Sequence, residues 1–317
     1  MNILIILNRL FLKLFTIFTC LFFISWIYAS PMPGTTDVKG AFSPNSCISE
    51  LKKGKSKLSC EGISFNLNVP KQCLDKSCGL ILDVHGWQMS ATLQDMHTQL
   101  SKIGAEHSYI VIQPNANKTT FGRSWNEKDD EKVFFILNSV KEAYQVMGER
   151  IHITGFSQGG FMSWRFICKY SDVLASAAPL AYGAVRYNRQ ERPVTSEVMS
   201  DCFQDGQIDI LYGHGQKDGL VPYAGAMQTL KLILPNWKMN QREVIGSADD
   251  YKHIRFYNDQ GTSFEFINFN WVINTKSMSN LGGHCFPGSG GYLGCGKDNA
   301  INWGEEVVKF FLKHPKN

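Results

Sequence analysis

From Arg150 to Tyr170 the chain reads RIHITGFSQGGFMSWRFICKY, and this stretch limits the possible folds more than any other. Arg150–Gly155 is an apolar, β-branched run that reads as a strand, and Gln158–Tyr170 has the spacing of a helix. One residue, Ser157, separates them, with Gly155 and Gly159 on either side. A strand that passes into a helix through one residue turns so sharply that flanking side chains would collide, and glycine removes them. Such a turn presents its central side chain at the carboxyl edge of a sheet, in front of the N-terminus of the next helix, where backbone N–H groups and a partial positive charge converge.

The rest of the chain supplies that sheet. Ile63–Pro70 alternates as a strand, and Cys78–Trp87 and Ser108–Ala116 hold near-continuous apolar runs suited to strands buried on both faces. Asp129–Gly148 reads as an amphipathic helix with acids in its first turn. Leu174–Gly183 and Ile208–Gly215 read as strands, Ala224–Leu234 as a helix, Ser263–Phe269 as a strand and Asn299–His314 as a final helix. Strands alternating with helices imply a mainly parallel sheet with helices on both faces. No Pro-, Gly- or Ser-rich linker divides residues 30–317, which are expected to form a single domain.

Residues 1–29 are expected to lie outside that domain as a secretory signal peptide. Arg9 and Lys13 precede the apolar stretch Leu14–Ala29, and no acid occurs before Asp37. Cleavage is expected after Ala29, because Pro31 disfavours cleavage after Ser30. The apolar run is short for a membrane span, and Thr19 fits poorly before a lipid-bearing Cys20. Loss of Arg9 and Lys13 lowers the formal charge from +4 to +2, and the short basic segment Lys52–Lys57 reads as a solvated loop, so no nucleic-acid partner is expected. An extracellular or periplasmic location follows, without stable membrane association once the signal is removed.

The cysteines agree with export. Of nine, Cys20 lies in the signal, and the other eight form an even set. Proximity in sequence favours Cys47–Cys60, Cys73–Cys78 and Cys285–Cys295, which leaves Cys168 with Cys202. Cys73 and Cys78 have no second close pair or histidine cluster at ligand spacing, so no metal is expected.

A serine displayed on such a turn becomes a nucleophile only beside a base that an acid orients. In sheets of this type the chain order is serine, acid, histidine. Asp218, in the loop GHGQKDGLVPY, lies past the carboxyl end of a strand, whereas its rivals Asp205 and Asp209 lie before and inside that strand. His284 follows the last strand in LGGHCFPGSGG, where a Cys285–Cys295 bond would hold the loop. His97, His107, His253 and His314 read as surface residues, His152 as a packed strand residue, and His214 as a shaper of the acid loop. The oxyanion of an acyl-transfer intermediate needs donors. The backbone N–H of Gln158 is one, and that of Trp87, in His85–Trp87, is the expected second, with Gly86 as the alternative. His85 is expected to shape this turn.

Together LDVHGW, RSWNEKDDEKVFF, RIHITGFSQGG, GHGQKDGLVPY and GGHCFPG resemble the esterases that include polyhydroxybutyrate depolymerases and feruloyl or acetylxylan esterases. The resemblance runs from about Leu82 to Gly291 and departs at GHCFPG, where GHTWPG is the expected form. It implies an α/β-hydrolase fold and cofactor-free hydrolysis of an ester substrate, small or polymeric, by Ser157, His284 and Asp218, with Trp125 lining the pocket or packing in the core. The competing expectations are a lipase or peptidase on the same scaffold, and a non-catalytic binding protein that keeps the fold.

Overall fold

A computed structural model describes residues 47–187, 193–194 and 208–316. The expected signal peptide, Cys202 and Asp205 lie outside the described residues.

Ten strands form one sheet. In chain order they are β1 (Gly54–Cys60), β2 (Ile63–Val69), β3 (Gly79–Val84), β4 (Tyr109–Asn115), β5 (Ile151–Phe156), β6 (Ser176–Leu180), β7 (Asp209–Gly215), β8 (Gln241–Ala248), β9 (Tyr251–Tyr257) and β10 (Ser263–Phe269). Their order across the sheet is β1-β2-β4-β3-β5-β6-β7-β10-β9-β8. The six strands from β4 to β10 are mutually parallel, and an antiparallel pair closes each edge. Strands β3, β5 and β6 are buried along their whole length, their few polar residues, Asp83, His152, Thr154 and Ser176, included.

Alternate side chains of these strands feed two cores. Leu80, Leu82 and Val84 of β3 pack with α3 (Asp129–Ala143), α4 (Gln158–Lys169) and α5 (Tyr223–Asn236). Ile81 faces the other way, into a core with Leu100 of α2 (Leu100–Glu106) and with α6 (Trp303–Lys313). The period of two along a strand thus splits one apolar run between two helix layers.

Three features depart from what the sequence implies. Lys55 and Lys57 belong to the edge strand β1 rather than to a loop, and both are exposed, where lysine discourages pairing with another sheet. The helix expected to reach Gly148 ends at Ala143; Met147 then donates its N–H to the Cys78 carbonyl at 2.9 Å, and Tyr144 accepts the N–H of Lys52 at 3.1 Å. Two helices, α1 (Ala91–Thr98) and α2, and the hairpin β8–β9 have no counterpart among the elements expected from sequence.

Register sets the position of the site. Val84 lies opposite Gly155, Gly155 opposite Pro179, Leu180 opposite Gly213, and Gly213 opposite Ile267. Strands β3, β5, β7 and β10 therefore end along the same edge, and the segments that follow them hold Trp87, Ser157, Asp218 and His284.

Candidate active site

Ser157 stands between β5 and α4 with φ 54° and ψ −118°, a conformation few non-glycine residues adopt. Its N–H donates to the Leu180 carbonyl of β6 at 2.8 Å, and its own carbonyl accepts from Phe161 N–H at 3.0 Å. The glycines answer to sterics at this turn. A Cβ at Gly155 would come within 2.4 Å of the Gly159 backbone, and one at Gly159 within 2.1 Å of the Val84 carbonyl oxygen. The helix thus rests directly on the end of β3, which brings the turn after β3 against the serine.

That turn is locked from several sides. The His85 ring accepts the Ala116 N–H on Nε2 at 3.0 Å and lies 2.7 Å from the Gly86 carbonyl through Nδ1. Accepting on Nε2 places the proton on Nδ1, and burial lowers the His85 pKa to about 4, so the ring is neutral and its lone pair is engaged in shaping the turn. Trp125 is buried in the core rather than open to the edge. Its indole N–H donates to the His85 carbonyl at 2.9 Å, and its backbone N–H donates to Gln158 Oε1 at 2.9 Å. Its contacts make it a brace beneath the turn. The Gln158 side chain also donates to the Trp125 carbonyl at 3.1 Å, so Gln158 ties the start of α4 to the Ser124–Trp125 segment. The N–H of Gln158 stands at the first helical position, where no intrahelical acceptor exists. Gly86 packs on Phe156, since a Cβ there would meet the Phe156 ring at 3.1 Å. Trp87 follows it with a half-exposed ring.

The structure brings Asp218 and His284 together. His284 Nδ1 lies 2.7 Å from Asp218 Oδ2. The other carboxylate oxygen accepts the N–H groups of Leu220 and Val221 at 2.9 and 2.7 Å. Burial pushes the Asp218 carboxyl up, but His284, His214 and the Val221 N–H outweigh it and hold the group below the usual carboxylate range. As the charged partner accepts, Nδ1 of His284 is the donor in this contact. On the other side, the Phe156 ring, next to Ser157 in the chain, lies 4.8 Å from the His284 ring.

Acid and base lie 66 positions apart in the chain, and backbone contacts knit their loops. Gly283 N–H donates to the Lys217 carbonyl at 2.8 Å and Gly219 N–H to the Leu281 carbonyl at 3.0 Å. A Cβ at Gly215 would lie 2.3 Å from the Gly283 carbonyl oxygen. Gly282 adopts φ 54°, and a Cβ there would lie 2.2 Å from the Lys217 carbonyl oxygen. These glycines let two main chains touch where side chains would hold them apart.

The rival Asp209 is engaged away from the site, where it accepts Ser263 N–H at 2.6 Å and pairs with His314 at 3.0 Å. His214 shapes the acid loop as expected, lying 3.1 Å from the Val221 carbonyl, with Nε2 3.6 Å from Asp218 Oδ2. His107 is exposed, but His97 and His253 are buried, against the surface position expected of them. His253 pairs with Glu265 at 2.7 Å, and His97 contacts the base loop. A polar residue on a helix reads as surface when the neighbour that covers it is remote in sequence. Disulfides join Cys47–Cys60, Cys73–Cys78 and Cys285–Cys295. The remaining expected pair, Cys168–Cys202, involves a residue outside the described ones.

No protein-family model matches the chain. It is 28% identical over 162 residues, 48% of its length, to feruloyl esterase B of Piromyces equi, and 23% identical over 166 residues to a bifunctional acetylxylan esterase/xylanase of Neocallimastix patriciarum. It is 26% identical over 115 residues to poly(3-hydroxyalkanoate) depolymerase C of Paucimonas lemoignei. The matches span 28%, 21% and 28% of those relatives' lengths. Among solved structures, an acetyl xylan esterase from Aspergillus awamori superposes with a TM-score of 0.54 at 11% identity, over 68% of this chain and 92% of that one. A putative dienelactone hydrolase from Klebsiella pneumoniae superposes with a TM-score of 0.51 at 13% identity, over 82% of this chain and 98% of that one. The parallel sheet, the strained serine turn and these superpositions give the chain an α/β-hydrolase fold, and over a third to a half of its length its sequence is similar to a feruloyl esterase, an acetylxylan esterase/xylanase and a poly(3-hydroxyalkanoate) depolymerase.

Proposed function

We propose that the chain is a secreted serine esterase that hydrolyses carboxylic esters through Ser157, His284 and Asp218. The observation that carries this reading is the 2.7 Å contact of His284 Nδ1 with a buried carboxylate whose other oxygen is already held by two backbone N–H groups. Such a pair fixes the imidazole tautomer and leaves Nε2 as the base. Ser157 Oγ attacks the ester carbonyl as Nε2 takes its proton, and a C–O bond forms. The N–H groups of Gln158 and Trp87 receive the charge that develops on the carbonyl oxygen. The intermediate collapses, the alkoxide leaves with the proton from Nε2, and an acyl-serine remains. Water, deprotonated by the same Nε2, repeats the sequence and releases the acid. Asp218 stays ionised throughout and stabilises the imidazolium of each half-reaction.

The relatives' names point to feruloyl or acetyl esters of plant polysaccharide and to hydroxyalkanoate oligomers as substrate classes. Three disulfides and the signal-like residues 1–29 support export, and no described helix is long and apolar enough to cross a membrane. A fluorophosphonate probe tests the core of the proposal: it labels Ser157 of the wild type and leaves Ser157→Ala unlabelled. That variant folds and loses more than about 10³-fold in kcat on a short p-nitrophenyl ester, since only binding and oxyanion stabilisation remain. Retention of a tenth of wild-type turnover removes Ser157 as nucleophile. A panel of methyl ferulate, acetylated xylan and hydroxybutyrate oligomers then ranks the substrate classes.

A further inference from the structure

The loop that carries His284 is closed on itself by Cys285–Cys295, but that bond joins two points of the same loop and does not fix it to the sheet. Helix α1 supplies an outside anchor. His97 is buried, and its Nδ1 lies 2.9 Å from Ser289 Oγ. The Ser289 hydroxyl donates its proton to the Gly290 carbonyl at 3.1 Å, so it accepts from His97, and Nδ1–H is the donor. The same ring stacks on Phe286, with centroids 4.8 Å apart and planes 4° from parallel. Phe286 in turn lies 4.1 Å from Phe156, whose ring is 4.8 Å from His284. A chain of four rings thus runs from α1 to the base.

The same helix also holds the opposite half of the site. Gln94 and Thr98 donate to the buried Asp83 carboxyl at 2.7 and 2.9 Å, two residues before the His85–Trp87 turn. One short helix therefore touches both the segment offering an oxyanion donor and the loop bearing the base. The His97 Nε2 atom is buried and has no partner. A leucine or phenylalanine would fill the space without that penalty, so filling space does not account for a histidine here; its Nδ1–H does.

We propose that the His97–Ser289 pair latches the base loop to α1, which makes His97 a positioning residue for His284. This rests on the esterase reading above, because it assigns the latch a role in the turnover of Ser157. The reason for an effect on rate is geometric: a displacement of about 1 Å in a catalytic group lowers rate by as much as about 10²-fold.

Three variants separate the contributions. His97→Phe keeps the ring stack and removes the donor, Ser289→Ala removes the acceptor, and His97→Asn keeps a short N–H donor without the ring. Turnover of a short p-nitrophenyl ester, the rate of fluorophosphonate labelling at Ser157, and the low-field proton resonance of the His284 Nδ1–H···Asp218 hydrogen bond are the readouts. His97→Phe and Ser289→Ala are expected to lower kcat and labelling rate about 10-fold with KM within about 2-fold, and to broaden the low-field proton. His97→Asn is expected to recover part of the rate lost in His97→Phe. The double variant is expected to be no worse than the more impaired single one, as two ends of one bond should behave. Wild-type kcat and labelling in both Ser289→Ala and His97→Phe overturn the latch, as does a loss that falls on KM alone. If Ser157 of the wild type resists labelling, the esterase reading fails, yet the low-field proton still decides the latch: unchanged by the variants, it refutes the latch, and broadened, it supports it.

Discussion

Asp218 and Asp83 are both buried carboxyls, and their surroundings drive them in opposite directions. Asp218 is held below the usual range, with burial outweighed by two histidines and a backbone N–H. Asp83 accepts from the neutral donors Gln113, Gln94 and Thr98, but burial, aided by the nearby Asp95 charge, raises it to about 7. Replacing the first should cripple catalysis. Asp218→Asn is expected to lower kcat by about 10³- to 10⁴-fold, because the amide favours the wrong tautomer of His284. Asp209→Asn is expected to leave kcat within a few-fold, since its contacts are Ser263 and His314; equal losses in the two variants would remove the basis for choosing Asp218. Replacing Asp83 should stabilise. Its folded pKa lies above the ordinary 3.8, so the folded state loses stability as pH rises from about 4 to about 7, and the loss, of the order of 4 kcal/mol, is complete above that. Asp83→Asn removes the charge, and a turn of the Gln94 amide would let its buried, unpartnered Oε1 accept from the new amide. Thermal unfolding at pH 8 is expected to show a higher Tm for Asp83→Asn than for wild type; a lower one would mean that the three donors need a carboxylate.

At the scale of elements, main-chain contacts rather than side chains hold the site together. The start of α4 rests on the end of β3, with 2.1 Å between a Cβ at Gly159 and the Val84 carbonyl oxygen. No flexible side chain can yield there, so Gly159→Ala is expected to displace the helix and abolish both probe labelling and turnover, whereas alanine at Gly148, where a Cβ meets nothing within 4 Å, is expected to leave both intact. The base loop has a covalent staple as well. Cys285→Ser/Cys295→Ser is expected to remove about 2–3 kcal/mol by the loop-entropy account and to lower Tm by about 5–10 °C, with turnover falling alongside as His284 loses its fixed place. Unaltered kcat in that double variant would mean that the contacts with the acid loop and α1 suffice.

For the molecule as a whole, four buried histidines make stability sensitive to acid. His85 and His97 are lowered to about 4, and His152 and His214 are also lowered, in every case chiefly by burial. An unfolded imidazole takes a proton below about pH 6.5, while these stay neutral in the fold, so the unfolded state binds more protons and stability falls as pH drops from about 6.5 to about 4. Asp83 works against this trend in the same window, but it is one group against four. Urea midpoints measured between pH 8 and pH 4.5 are expected to fall on acidification, and more steeply in Asp83→Asn. A flat profile in Asp83→Asn, where that opposing carboxyl is gone, would mean that the buried histidines titrate normally.

The sequence by itself determined the parts that depend on neighbours in the chain. Near-continuous apolar runs identified β3 and β4 as strands covered on both faces, because such a strand has little polar side to show. The glycines around Ser157 announced the turn: a Cβ at Gly155 would strike Gly159 within the same five residues, although one at Gly159 would strike Val84 of β3. Proximity paired Cys285 with Cys295, and the expectation that loops at the carboxyl edge carry the chemistry pointed to Asp218 and His284, which the fold brings within 2.7 Å of each other. Only the tertiary structure decided which polar residues are covered. His97 looks like a surface helix residue until a loop nearly two hundred positions away closes over it, and His253 looks exposed until Glu265 of the neighbouring strand pairs with it. Helix α1 buries Gln94, His97 and Thr98 instead of an apolar stripe, so it shows no helical pattern, and β8 is exposed along nearly its whole length, so it shows no alternation. The interlocking of the acid and base loops was equally hidden, for a glycine needed by a partner's backbone looks the same in sequence as one needed by its own turn. A hydrophobic period records the average environment of a segment, whereas a buried hydrogen bond depends on a specific partner that only the folded chain brings within reach.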